Sequence, residues 1–285
     1  MTGRPARRQP GVAPLRRTRP VKRRSAGLSP VRAGAALAML LAAAATYGVG
    51  ASSAFDVARL EIDGAVYTDR AAVERVLDPV RGRNLFRLST APLAASLRDL
   101  PTVADAAVGI ALPDTLDVTI VEREPILVWD AGEERFLSDL DGYLFATVGE
   151  DAPAAATELP VVDDRRGTSR LLGVGSTLDP VDLDAARRLG SLVPADVGST
   201  APALHLRVTD EHGFVVSPGE DGWVAIFGFY TASLRRTEII PGQVRLLRSL
   251  LIGREPSIDR IILADEDDGT YIERETPPPS GEGDS

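Results

Sequence analysis

Few residues in this sequence have types and spacings that do chemistry. His205 and His212 are the only imidazoles. Neither lies in an H-E-x-x-H pattern or near a plausible third ligand, so the spacing predicts no metal centre. The acidic run Asp265-Glu266-Asp267-Asp268-Gly269 has the look of a calcium loop. With Gly269 at the sixth loop position, however, Ala264 falls at the first, where a carboxylate is required. The run reads instead as a solvated charge cluster protecting a sheet edge. Glu122 and Glu124 flank Arg123 as an acid/base pair might, but Glu122-Arg123-Glu124-Pro125 reads as an exposed strand end and a proline-set domain junction. There Arg123 either docks two domains or is solvated. There is no G-x-S-x-G, no Walker loop and no cysteine. Serine-nucleophile, phosphate-loop and thiolate chemistry therefore lack their residues, and the sequence predicts neither an enzyme nor a bound cofactor.

What remains is recognition, and the elements that position it begin at a membrane. Residues 1–54 hold ten basic residues and no acid. Removing those ten from the chain's 32 leaves 22 basic against 41 acidic residues, a net charge of −19 on the remainder. From Ala33 to Ala54 no residue is charged, and 22 residues at ~1.5 Å each cross a ~30 Å hydrocarbon layer. The basic cluster precedes this run and the first acid, Asp56, follows it, so residues 1–32 are expected in the cytoplasm and residues 55–285 outside. Ser52-Ser53-Ala54 is a possible signal-peptidase site. The basic lead is long for a signal peptide and the apolar run exceeds a usual h-region, so an uncut anchor is expected. An arginine-rich arm can also bind nucleic acid, but this one has no aromatic residue before Tyr47 and its charge follows from topology.

Beyond the anchor, alternation over 56–63 predicts a strand ending at Asp63-Gly64. Thr68 or Asp69 caps a helix to about Leu77, with Ala72, Val73 and Val76 as its stripe. Phe86 is expected to plug the core. Ser89 or Thr90 caps a second helix, with Leu93, Leu97 and Leu100 on one face. Strands over 103–111 and 115–121 then form a hairpin through Pro113-Asp114. The order is β-α-α-β-β, two helices on a three-stranded sheet. After Pro125 the texture shifts to short strands (126–129, 136–138, 143–147, 159–162, 204–208, 214–217, 223–227). Helices are expected from Asp179 to about Leu192 and from Pro241 to about Ile252, and 258–264 is the last strand. The expected class is α+β, the second domain being a mixed α/β unit with an antiparallel sheet.

Three segments carry a family resemblance: Leu100-Pro101-Thr102-Val103-Ala104-Asp105-Ala106-Ala107-Val108, Leu112-Pro113-Asp114-Thr115-Leu116 and Val121-Glu122-Arg123-Glu124-Pro125. Together they resemble the signature of the bacterial cell-division family FtsQ/DivIB, and the β-α-α-β-β unit resembles its POTRA domain. Ser138-Asp139-Leu140-Asp141-Gly142-Tyr143-Leu144-Phe145 is similar to the family's Asp-x-x-Gly turn, Leu159-Pro160-Val161-Val162 to its Leu-Pro segment, and Ile258-Asp259-Arg260 to its last-strand motif. The stretch from Phe227 to Gly242 departs from the family pattern.

The resemblance implies a single-pass protein of the cell membrane at the division septum, with its N-terminus cytoplasmic. Its parts would be a disordered tail (1–32), a membrane helix (33–54), a POTRA domain (55–124), a β domain (125–265) and a disordered acidic tail (266–285). It implies a scaffold linking early and late cell-wall synthesis proteins through FtsB/DivIC-like and FtsL-like partners, with septal synthase components as further candidates. Partner strands would pair with Ile258, Asp259, Arg260, Ile261, Ile262, Leu263 and Ala264, since a last strand followed by a disordered tail keeps a free edge. Phe229 and Tyr230 are candidate aromatic anchors. A POTRA-bearing envelope-assembly or secretion chaperone is the alternative.

Overall fold

The computed structural model describes residues 29–149, 153–219 and 221–275. The N-terminal unit, described by itself, is one helix, α1 (Pro30–Ala51), 22 residues long. It starts earlier than the apolar run because Ser29 accepts a hydrogen bond from Arg32 N and Pro30 occupies the first turn. It is long and apolar enough to cross a membrane, at about 33 Å. The basic arm before Ser29 lies outside the described residues.

The first folded domain has the expected order: β1 (Arg59–Asp63), α2 (Arg70–Leu77), α3 (Thr90–Arg98), β2 (Val103–Ala111) and β3 (Thr115–Glu122). The sheet runs β1-β3-β2, with β1 parallel and β2 antiparallel to the central β3. Asp69 caps α2 by accepting from Ala71 N. Leu116, Val118 and Ile120 alternate onto one face of β3 and pack with Val73 and Leu77 of α2 and Leu97 of α3. Phe86 is not the core plug expected. Its neighbour Leu85 is buried, while Phe86 is 54% exposed and meets Phe55 edge-on at 5.2 Å. The turn at 84–86, with Asn84 Oδ1 accepting from Phe86 N, faces Leu85 inward and Phe86 outward.

The second domain contains β4 (Leu127–Asp130), β5 (Arg135–Ser138), β6 (Leu144–Thr147), α4 (Ala154–Thr157), β7 (Val161–Asp164), α5 (Pro180–Gly190), β8 (His205–Thr209), β9 (Gly213–Ser217), β10 (Val224–Gly228), α6 (Ile240–Leu251), β11 (Ile258–Leu263) and β12 (Gly269–Glu273). All twelfth-to-fourth strands join in one nine-stranded sheet, β12-β11-β10-β9-β8-β7-β4-β5-β6. It is mixed rather than antiparallel throughout. Ladders β4–β7, β7–β8 and β10–β11 are parallel. Parallel neighbours need a crossover, and α5 lies in the connection from β7 to β8, α6 in that from β10 to β11. The apolar faces of these helices, including Leu183 and Leu189, then Leu247 and Leu251, close the main core over Trp129, Phe214, Phe227 and Ile261. The other face of the first strands buries Val128, Leu137 and Phe145 beneath α4 and Tyr67 of the first domain. Covering both faces explains why β4 is buried at consecutive residues.

Candidate partner-binding edge and domain junction

The expected free edge at 258–264 is corrected by the sheet order. β11 is paired on both sides, to β10 in parallel and to β12 antiparallel. The expected disordered tail from residue 266 begins too early, because 269–273 form β12; residues 276–285 lie outside the described residues. The acidic run is the hairpin connection: Ala264 N and Asp265 N both donate to Asp268 O, at 2.9 and 3.0 Å. Gly269 sits where a Cβ would come within 3.0 Å of Leu246 Cδ2 and 3.1 Å of Ile262 O, so a larger residue there would need its neighbours to give by a few tenths of an ångström. A signal was present in the sequence. Asp-Gly followed by Thr270-Tyr271-Ile272 is a turn leading into β-branched and aromatic residues.

Within β11, Ile258, Ile261 and Leu263 are buried, whereas Asp259, Arg260 and Ile262 face solvent, as does Ala264 just after the strand. The ladder sets Ile262 opposite Thr270 and Arg260 opposite Ile272, so these four share the outward face. Among the described residues β12 has one ladder partner, and its other side is unpaired at the end of the sheet. Ile272 is 48% exposed and Ile262 42%, an apolar pair beside an open row of backbone groups. On the opposite face Tyr271 lies under the Arg254 guanidinium, 5.7 Å from the ring centroid.

The two aromatic candidates separate. Tyr230 is buried, so it is not a surface anchor. Its hydroxyl donates to Gln243 Oε1 at 2.7 Å, and Gln243 Nε2 donates to Leu263 O at 3.0 Å, bracing the end of β11. Burial pushes the Tyr230 phenol well above its usual pKa, keeping it a neutral donor. Arg235 covers the ring and donates to Leu263 O as well. Phe229, at the end of β10, is half exposed.

The start of β11 is held by Glu255. Its carboxylate accepts from Trp223 Nε1 at 2.9 Å, from Thr200 N and Oγ1 at 2.9 Å, and from the Ser199 hydroxyl. Burial disfavours its charge, but these donors outweigh that and hold its pKa down at about 2.

The junction preceding β4 is built by Arg123, which docks the two domains rather than standing in solvent. Its Nη1 lies 2.6 Å from Asp139 Oδ2, its Nε donates to Pro101 O at 3.0 Å, and its guanidinium covers the Tyr143 ring at 4.4 Å. Asp139 also accepts from Asp141 N and Tyr143 N through Oδ1, shaping the turn at Gly142, where φ is +80°. Tyr67 meets Phe145 edge-on across the same seam, at 6.1 Å. Glu122 accepts from the backbone N–H groups of Val66, Tyr67 and Thr68, fixing the loop that carries Tyr67 and leaving it no acid/base role with Glu124. Among the described residues no three histidines, aspartates or glutamates converge as a metal site.

A family model described as POTRA domain, FtsQ-type, matches residues 55–123. The cell division protein FtsQ of Chloroflexus aurantiacus is 27% identical over 247 residues, covering 87% of this chain and 80% of the relative. The FtsQ of Chloroflexus aggregans is 26% identical over 204 residues, 70% of this chain and 66% of the relative. The FtsQ of Corynebacterium glutamicum is 34% identical over 86 residues, 30% of this chain and 39% of the relative.

Proposed function

We propose, from this chain's membership of the FtsQ family of non-enzymatic cell-division proteins, that it is a single-pass scaffold of the septal machinery that captures partners by strand addition. α1 would anchor it in the cell membrane with the N-terminus cytoplasmic and both folded domains outside. Its partners would be membrane proteins of the FtsB/DivIC and FtsL type, with septal synthase components joining the same assembly. The observation that carries this reading is the side of β12 left unpaired among the described residues, flanked on the outward face by Ile272 and Ile262. An incoming strand would gain main-chain hydrogen bonds along β12 and cover both isoleucines. Ile258–Ala264 would act from the second row, with Ile262 touching the partner and the remainder supporting β12. Phe229 would extend the contact at the end of the sheet.

The test is co-purification of the full chain in detergent with FtsB/DivIC-like and FtsL-like proteins from the same host, beside a chain ending at Asp268. Loss of capture on removing β12, with unchanged melting of the remainder, supports the reading. Undiminished capture by the shortened chain moves the site elsewhere.

A further inference from the structure

Phe55 and Phe86 form an aromatic pair on the surface of the first folded domain, and the chain fixes where that pair must lie. Phe55 follows the end of α1 at Ala51 by four residues, which span at most about 14 Å. The loop bearing Phe86 is zipped to this segment. Val57 N donates to Arg83 O at 3.0 Å, Gly82 N donates to Val57 O at 2.9 Å, and Asp56 bridges Asn84. Both rings are therefore tied to the helix exit. Arg83 and Arg87 flank Phe86 in sequence, are exposed, and have no carboxylate within 4.0 Å among the described residues. Nearby Arg81 already faces Glu74 and Asp78, each at 3.7 Å. Asp56 is the one acid in the zipped segment and offsets a single arginine.

We infer that Phe55, Phe86, Arg83 and Arg87 form a lipid-docking face that seats the first folded domain on the phospholipid surface from which α1 emerges. This rests on the proposed membrane anchoring of α1. Phenylalanine rings on the apolar face of an interfacial segment bury into the boundary between headgroups and acyl chains. Guanidinium groups pair with phosphate in a fork geometry, and anionic lipid attracts each nearby cation. Docking would restrict how the domain turns on its short tether.

The chain has no cysteine, so one introduced thiol takes one label. The full chain carrying Ser89→Cys, labelled with an environment-sensitive fluorophore, is reconstituted in phosphatidylglycerol/phosphatidylethanolamine vesicles containing a lipid quencher placed near the headgroups. Leu41→Cys in α1, read with a second quencher carried in the lipid acyl chains because it lies near the middle of the helix, and Glu133→Cys in the β4–β5 turn serve as references. Quenching at position 89 well above that at 133 is expected. Phe86→Ser, or Arg83→Gln with Arg87→Gln, should lower the docked-to-free ratio on the order of tenfold. Position 89 matching 133 while 41 stays quenched overturns the docking face and leaves the anchor standing. An unquenched position 41 removes the anchor, and the docking face with it. Full quenching at 89 in the double glutamine variant overturns the part assigned to the arginines. Circular dichroism melting of each variant separates lost docking from lost folding.

Discussion

The guanidinium of Arg123 lies 2.6 Å from the carboxylate of Asp139, and this ion pair joins the end of the first domain's last strand to the turn between β5 and β6 of the second. Asp139 is nearly buried and shapes its own turn with one oxygen while receiving Arg123 with the other. The pair therefore couples the angle between the domains to a turn that cannot move without losing backbone hydrogen bonds.

Arg123→Ala is expected to cost about 1–3 kcal/mol, because it leaves a largely buried carboxylate short of its charged donor. Asp139→Asn keeps the acceptor for Asp141 N and Tyr143 N while removing the charge. A double-mutant cycle read by urea unfolding should give a coupling of about 1 kcal/mol, and additivity of the two changes would refute the latch.

Leu97→Asp should unfold the first domain, since Leu97 is fully buried between α3 and the sheet and the charge has no partner there; a loss above about 3 kcal/mol is expected. Phe86→Asp, at an exposed position, should change stability by less than about 0.5 kcal/mol. Thermal melts of both variants check the assignment of inside and outside, and a cooperative, wild-type melt for Leu97→Asp would contradict it.

Ile272→Asp and Ile262→Asp should each weaken capture of an FtsB/DivIC-like partner by roughly tenfold or more, as for a central apolar contact. Both positions are substantially exposed, so folding should be unaffected. Equal binding by wild type and both variants, measured by calorimetric titration, would discard the β12 edge as the site.

Glu255 predicts a pH signature. Its folded pKa of about 2 lies below the reference of 4.5, so its contribution to stability is fully present above pH ~4.5 and disappears as pH falls toward 2. Glu255→Gln should lower the melting temperature at pH 7 and flatten its fall between those values. A wild-type slope in the variant would show that the carboxylate is not held as described.

Gly64→Ala should destabilise by more than about 1 kcal/mol, because Gly64 has φ of +86° and its Cβ would collide with the carbonyl oxygen of Ile120. Chemical denaturation measures this directly, and a neutral result would mean that the turn after β1 relaxes freely.

The sequence by itself determined the parts whose signals are local. The uncharged run after a basic arm is enough to mark α1, and alternation with capping residues marks β1, α2, α3, β2 and β3 in order. Motif residues at 100–125 and 138–145 carried the family. Tertiary structure decided what depends on residues far apart in sequence. Strand direction in the second domain follows from where α5 and α6 cross, so the parallel ladders were not legible in short alternating runs. β12 was hidden because its exposed, charged surroundings resemble a tail, and only pairing with β11 makes 269–273 a strand. Leu85 takes the core position expected of Phe86 because successive residues of the short helical turn at 85–87 point in different directions and burial depends on what packs above them. Arg123 reads as either solvated or docked in sequence; Asp139 and Tyr143, brought beside it by the fold, make the difference.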